Sequence, residues 1–183
     1  ELKHLYKGVE HADSFIVDPH KWLFAPFDAC ALVYREPEYA RIAHTQHGEY
    51  LEVLNDSGDF NPSDYGFNLT RRVRGLPLWF SMASHGAELY RQAISANVKL
   101  THQIAKEIST RSYLRLVRDP QLSVVVFERI GWELSDYHAW SEKLLSDQFA
   151  FVVPSSHQGK PNTRFAIVNP LTKYEDLVSI LDS

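Results

Sequence analysis

The stretch that decides the fold is Asp13–Phe24, which reads DSFIVDPHKWLF. Its first half is rich in β-branched and aromatic residues and predicts a short strand. Its second half places a lysine, Lys21, directly before Trp22, Leu23 and Phe24. Because a charged amine is costly to bury beside apolar side chains, the position of Lys21 requires an explanation.

Two interpretations of Lys21 follow from the residues alone. In the first, its aliphatic stem lies on apolar surface while its amine stays in water. In the second, the amine is desolvated, which disfavours the charged form of a lysine and leaves a neutral nucleophile. Since Pro19 favours an extended conformation for Asp18, we expect His20 and Lys21 to point to opposite sides, so that Lys21 can enter a pocket alone.

The rest of the pattern predicts a chain of mixed helices and strands. The segment ACALVY predicts a second strand, and residues 36–70 predict a long loop of the kind that is functional or mobile. Apolar residues recur at helical spacing from Leu78 to Ser109, with Gly86 as a weak point. The last third predicts the order strand, strand, helix, strand, strand, helix, with the helices on one face of a small sheet. Ser135 is the predicted cap of the first of these helices, and Thr172, with Glu175 three residues on, that of the second.

Composition excludes several classes of function. The 183 residues are 44% hydrophobic and carry a formal net charge of −4, so a nucleic-acid partner has no support. The one dense basic patch, RRVR at Arg71–Arg74, is interpreted as a helix-entry segment that pairs with carboxylates. No apolar run reaches the ~18 residues of a membrane-spanning helix, so no membrane role is expected. The single cysteine, Cys30, forms no intramolecular disulfide, which fits a cytoplasmic location.

Candidate sites of other classes are weak. His44 and His47 have a spacing that could seat two metal ligands on a helix, but no third ligand group matches, so we interpret them as loop histidines. Cys30 lies in the predicted strand ACALVY and is expected to be buried and inert rather than nucleophilic. No metal site is therefore predicted.

Three segments in the same order resemble the group II pyridoxal-phosphate (PLP) decarboxylases, which include the aromatic-L-amino-acid, histidine and glutamate decarboxylases. They are GVEHADSFIVDPHKWLFAPFDACALVY, LTRRVRGLPLWFSMASHG and TRFAIVNPLT. The matching positions in the first two segments are Asp13, Ser14, Pro19, His20, Lys21, Trp22, Asp28, Arg71, Arg72, Arg74, Trp79 and Gly86. The sequence departs from the family pattern at three positions: Asp18 stands where many members have Asn, Cys30 falls one residue late, and Pro77 replaces a common lysine.

The resemblance implies an α/β fold, the C-terminal portion of a fold-type I PLP-dependent enzyme. Residues 1–75 would end the large cofactor domain, with a mobile loop at about 36–70. Residues 76–183 would form a long helix and a small α+β C-terminal domain. Because the chain starts at Glu1 and its only methionine is Met82, we expect it to be part of a longer protein.

The resemblance also implies roles for individual residues. Lys21 would bind PLP covalently and act in catalysis, with His20 and Asp18 near the cofactor phosphate. Tyr50, which lies 50 − 21 = 29 residues after Lys21, would donate a proton to the substrate carbon across a dimer interface. Two further residues complete the predicted site: Thr70 would discriminate between substrates, and Arg164 would support the site.

The predicted activity is PLP-dependent decarboxylation of an L-amino acid, aromatic by default, to the amine and CO2. The predicted assembly is a homodimer with its active site at the interface. A PLP-dependent aldehyde-forming relative is an alternative, although such relatives typically replace the loop tyrosine with phenylalanine. A non-catalytic structural or dimerisation module is a second alternative, which the retained Lys21 disfavours.

Overall fold

The computed structural model describes residues 2–48 and 60–183. The chain divides into two compact units, Glu1–Ser84 and His85–Ser183, which are described separately. Within the described residues, no helix has the length and apolar character needed to cross a membrane.

The first unit is built around a two-stranded antiparallel sheet. Strand β1, Ser14–Val17, pairs with strand β2, Ala31–Tyr34, from Ser14 opposite Tyr34 to Val17 opposite Ala31. Both strands lie within the predicted segments SFIVDP and ACALVY, so the predictions are confirmed. Residues 18–30 connect the two strands and contain Lys21, and we call them the lysine loop.

The segment predicted as one long loop, residues 36–70, contains helical structure. Helix α1 spans Pro37–His44, and a 3₁₀ turn spans Pro62–Tyr65. The loop prediction is wrong for these residues, because a proline at the first position of a helix stabilises its start instead of breaking it. Two further 3₁₀ turns precede β1, at Lys3–Tyr6 and Val9–His11.

The predicted long helix is confirmed as α2, Gly75–Thr110, with a break in its backbone at Gly86. Gly86 has φ of 73°, in the left-handed region where a side chain is unfavourable. The weak point predicted at this glycine is therefore the place where one helical stretch ends and another begins.

The second unit contains a four-stranded antiparallel sheet with the spatial order β3, β4, β6, β5. Its strands are β3 (Leu114–Leu116), β4 (Val124–Arg129), β5 (Pro154–His157) and β6 (Lys160–Ala166). Helix α3, Leu134–Ser146, follows β4, and helix α4, Tyr174–Leu181, follows β6. The predicted order of strands and helices is confirmed.

The core of the second unit lies on one face of this sheet. Val125, Phe127 and Phe165 alternate with exposed or half-exposed neighbours and pack with Ile108 of α2 and Leu144 of α3. This alternation is what the two-residue period of a strand requires when only one face is covered. The prediction that the helices cover one face is therefore confirmed.

Both predicted helix caps are wrong by one or two residues. Helix α3 is capped at Glu133, whose backbone N–H donates to the Asp136 carboxylate at 2.7 Å, and not at Ser135. Helix α4 is capped at Lys173, whose N–H donates to Asp176 at 3.2 Å, and not at Thr172. In each helix an aspartate at the third position selects the cap by accepting the backbone N–H, which the sequence pattern did not weigh.

A buried arginine links β4 to the end of α4. Arg129 is 6% exposed, and its guanidinium donates to the carbonyl oxygens of Leu181 at 3.1 Å and Ile180 at 3.3 Å. The same guanidinium lies 4.6 Å from the ring centroid of Trp132 and 4.4 Å from that of Trp140. It thus satisfies carbonyls at a helix end and makes two cation–π contacts in a setting with little water.

We predict that Arg129→Ala lowers the free energy of unfolding by about 2–4 kcal/mol, because two buried carbonyls lose a charged donor. Arg129→Lys should lose less, since it keeps the charge but cannot reach both carbonyls and both rings. Urea denaturation followed by tryptophan fluorescence measures both changes. As a control, Lys143→Ala removes an exposed ion pair and should cost under about 1 kcal/mol. An Arg129→Ala protein as stable as the control would contradict this role.

Candidate active site

The lysine loop begins with a turn that backbone hydrogen bonds hold at several points. The Lys21 N–H donates to the Asp18 carbonyl at 3.0 Å, and the Ala25 N–H donates to the Pro19 carbonyl at 3.0 Å. Pro19 is fully buried, and Phe24 adopts a left-handed φ of 56°, which is strained for a residue with a side chain. The expectation of an extended segment after Asp18 is therefore wrong, because the backbone folds back on itself within three residues.

The Lys21 side chain lies at the surface of this turn. It is 70% exposed, and its amine forms an ion pair with the Asp18 carboxylate at 2.6 Å. Within the described residues the apolar neighbours do not bury the amine, so the first interpretation of Lys21 is the one that the structure shows. An exposed amine on a fixed turn is accessible to a ligand from solution.

The Asp18 carboxyl pairs with Lys21. The hydrogen bond from Lys21 lowers the pKa of the Asp18 carboxyl. Cys30, which closes the same loop, is exposed and directly precedes β2. The expectation that Cys30 is buried in a strand is therefore wrong, since the strand begins one residue later and leaves this side chain in solvent.

His20 is fixed by the far end of the same loop. Its Nδ1 lies 2.5 Å from the Ala29 carbonyl oxygen, so this nitrogen carries a proton and donates. The ring meets Phe27 edge to face at 5.0 Å between centroids. These contacts hold the His20 ring in place.

The basic patch pairs with a carboxylate, as interpreted from the sequence. Arg72 contacts Asp28 at 2.5 Å, and Arg74 donates from Nε to the same carboxylate at 3.1 Å. The hydrogen bonds from Arg74 and Arg72 lower the pKa of the Asp28 carboxyl. Arg71 donates to the Pro62 carbonyl oxygen. The arginine segment is thereby tied to both the lysine loop and the 3₁₀ turn.

A pocket of roughly 630 Å³ lies where these groups meet. Its polar lining comprises His20, Asp28, Cys30, Arg71, Arg72 and Arg74. The lining contains three arginines and one aspartate, so the pocket carries excess positive charge. Such a lining favours a carboxylate or phosphate group, which guanidinium groups bind through paired hydrogen bonds.

The remaining predicted residues are placed as follows. Tyr50 lies outside the described residues. Thr70 is exposed and directly precedes Arg71. Arg164 belongs to the second unit, where it lies in β6 opposite Val126 on the exposed face of the sheet.

The histidine pair also has a place in the structure. His44 is the last residue of α1, and His47 follows it outside the helix. Within residues 2–48 and 60–183, no group of three or more His, Cys, Asp or Glu side chains could hold a metal ion.

The Asp28 contacts were missed at the sequence level. Asp28 was recognised as a matching position, but its two arginine partners lie 44 and 46 residues away. Charge complementarity could have predicted these contacts. A dense basic patch needs carboxylates nearby, and Asp28 is one of the acidic residues that could pair with it.

Known proteins resemble this chain in sequence. A family model described as the pyridoxal-dependent decarboxylase conserved domain matches residues 1–130. An aromatic-L-amino-acid decarboxylase of Bacillus atrophaeus is 30% identical over 186 residues, covering 97% of this chain and 39% of that protein. A phenylacetaldehyde synthase of Petunia hybrida is 26% identical over 191 residues, covering 95% of this chain and 37% of that protein. The chain thus spans about two fifths of the length of these relatives.

Solved structures share the fold. The structure of Oryza sativa TDC with PLP and tryptamine matches with a TM-score of 0.88 and 22% identity over 99% of this chain and 39% of that chain. Mouse CSAD in apo form matches with a TM-score of 0.82 and 24% identity over 99% of this chain and 41% of that chain. These likenesses confirm the predicted fold class, an α/β portion of a PLP-dependent decarboxylase fold.

We predict that Asp28→Asn loosens the arginine segment, because the amide cannot hold two guanidinium groups as a carboxylate does. Tryptic cleavage after Arg72 and Arg74 at pH 7.5 should accelerate by about 2- to 5-fold, which corresponds to the free energy that an exposed ion pair contributes. Cleavage after Arg41, which pairs with Glu38 within α1, is the internal control and should not change. Equal acceleration at all three arginines would indicate general unfolding and contradict a local role.

The ion pairs of Asp28 with Arg72 and Arg74 also predict a pH dependence. Since the folded pKa of Asp28 lies below its ordinary value of 3.8, the pair contributes stability above that value and loses it as the pH falls through the folded pKa. The wild-type arginine contacts should therefore persist at pH 5 and disappear in stronger acid. NMR signals of the Arg74 Nε–H group measure this, and Asp28→Asn should remove the transition.

Proposed function

The chain belongs to the pyridoxal-dependent decarboxylase family, and from this premise we propose that the protein carrying it removes CO2 from an L-amino acid to give the amine. Aromatic amino acids are the first substrate class to test. The observation that carries the proposal is the accessible Lys21 amine on a fixed turn. The residue before it, His20, lines a pocket that also contains three arginines.

The described residues fit the cofactor of this family, pyridoxal 5′-phosphate, which presents an aldehyde and a phosphate. Its aldehyde needs a reachable primary amine, and Lys21 is 70% exposed. Its phosphate needs cationic or N–H donors, and the pocket offers His20 beside three arginines. When bound, the cofactor supplies an electron sink for the electron pair left on the substrate carbon as CO2 departs.

Each predicted residue has a task in this proposal. Lys21 holds the cofactor covalently, and its neutral form is the nucleophile. His20 would lie near the phosphate, with its ring held by the hydrogen bond from Nδ1 to the Ala29 carbonyl. Asp18 also stands close to the phosphate, but two negative groups repel each other, so its side chain serves Lys21 instead of the phosphate.

Three further assignments complete the proposal. Tyr50 delivers a proton to the substrate carbon after CO2 has left, and Thr70 contributes to substrate discrimination. Arg164 supports the site. We also propose a cytoplasmic homodimer with the active site at its interface; the exposed apolar side chains of β1 and β2, such as Ile16 and Val33, favour burial against further protein.

A second candidate is an aldehyde-forming reaction on the same substrates. It is favoured by the likeness to the Petunia hybrida phenylacetaldehyde synthase and opposed by Tyr50, because such relatives typically carry phenylalanine at that position. A non-catalytic module is the third reading, and the retained Lys21 opposes it. The tests below separate all three.

We predict that Lys21→Ala abolishes both the visible absorbance of the bound cofactor and nearly all turnover in the protein carrying this chain. Lys21→Arg should be equally inactive, since a guanidinium stays protonated and cannot replace the amine. Lys143→Ala removes a lysine of similar exposure and should retain both properties. A borohydride-reducible chromophore in Lys21→Ala would place the anchor elsewhere, and a wild-type protein without any chromophore would support the non-catalytic module.

We predict that Tyr50→Phe keeps cofactor binding but loses proton delivery. General acid catalysis contributes about 10²- to 10⁴-fold, so amine formation should fall by a factor in that range. Product should shift toward the aldehyde, with uptake of O2. Chromatography of amine and aldehyde, together with an oxygen electrode, measures the change. Unchanged amine production would make Tyr50 a packing residue, and a wild-type protein that forms mainly aldehyde would favour the second candidate.

A further inference from the structure

We propose that Asp18 is a positioning residue that holds the Lys21 amine through an ion pair and must release it before Lys21 can bind a carbonyl ligand. The inference rests on the proposed role of Lys21 as the cofactor anchor. It assigns Asp18 to the amine, although the sequence pattern had placed it beside the phosphate.

Two connections join the same two residues. The Asp18 carboxylate meets the Lys21 amine at 2.6 Å, and the Asp18 carbonyl accepts the Lys21 backbone N–H at 3.0 Å. The turn therefore fixes the spacing of the two side chains before they pair. A pair whose backbone is already ordered loses less conformational entropy on forming than one between two free side chains.

Asp18 is also the better anchored partner. Its side chain is 32% exposed, against 70% for Lys21, and it follows β1 directly while preceding the buried Pro19. Asp18 is thus held more firmly by its surroundings, so the more exposed Lys21 side chain is the partner that must move.

The chemistry of the amine gives this pair a consequence. An ammonium ion has no free electron pair, so it cannot attack a carbonyl carbon until it has lost a proton. The Asp18 carboxylate, 2.6 Å from the Lys21 amine, pairs with it and holds it in one direction. The amine must leave this pair before it can attack a carbonyl carbon, so removing the charge of Asp18 should make the amine react faster.

The second unit contains a matched control. Lys143 pairs with Asp147 at 2.5 Å along α3, and the two side chains are 72% and 51% exposed. Its lysine is as accessible as Lys21, whereas its carboxylate is more exposed than Asp18. If the Asp18 pair is only an ordinary surface pair, the two lysines should respond alike to loss of their partners.

The experiment is reductive methylation with formaldehyde and cyanoborohydride at pH 8 and low salt, on the cofactor-free protein, read by peptide mass spectrometry. In Asp18→Asn the rate at Lys21 should rise about threefold or more, and in Asp147→Asn the rate at Lys143 should rise less than about twofold. Asp18→Glu keeps the charge and should keep the slow rate. An unchanged rate at Lys21 in Asp18→Asn, or equal changes at both lysines, would overturn the proposal.

A measurement without any substitution guards against a variant that disturbs the turn. Raising the salt concentration to 1 M shortens the Debye length to about 3 Å and weakens ion pairs between exposed side chains. The wild-type rate at Lys21 should therefore rise toward that of Asp18→Asn. A salt-independent rate would overturn the proposal even if the variant reacts faster. Because no cofactor is present, these outcomes are independent of whether Lys21→Ala abolishes cofactor binding, which tests the proposed function itself.

Discussion

The site depends on the strand pairing that closes the lysine loop. Val17 and Ala31 face each other at the end of the ladder, so residues 18–30 leave and return to the sheet at one place. A loop closed in this way gains order from backbone hydrogen bonds at its base. The buried Pro19, Ala25 and Ala29 then hold its interior, and Lys21 and His20 keep fixed positions although both lie near the surface.

The Asp28 carboxylate extends this order to a distant part of the chain. It holds Arg72 and Arg74, and these residues lead directly into α2. One carboxylate between two guanidinium groups leaves their combined charge positive, so the clamp also creates the electrostatic character of the pocket. The same three side chains therefore hold the segment that leads into α2 and contribute the charge of the pocket. The second unit uses a related device, since Arg129 joins β4 to the end of α4 through buried carbonyls.

The elements that the sequence could predict are those set by local pattern. β-Branched residues predicted β1 and β2, and helical spacing predicted α2. Gly86 marked the break in α2, because glycine adopts a left-handed φ more easily than any residue with a side chain. The errors arose where two local signals compete. Ser135 and Thr172 are good caps, yet Asp136 and Asp176 accept the N–H of an earlier residue and move the start of each helix.

The residues of the candidate site could be proposed from the sequence, but their contacts could not be predicted. The motif pointed to His20 and Lys21 as candidates, whereas the contacts of Asp28 depend on residues more than forty positions away. The exposure of Lys21 was one of two interpretations that the residues left open, because apolar neighbours in sequence bury an amine only when the fold places them over it. Within the described residues, Trp22, Leu23 and Phe24 leave the Lys21 amine 70% exposed, while the turn and the ion pair with Asp18 hold it in one direction. Local sequence therefore dictates the direction of this side chain, whereas its burial depends on which other atoms lie over it.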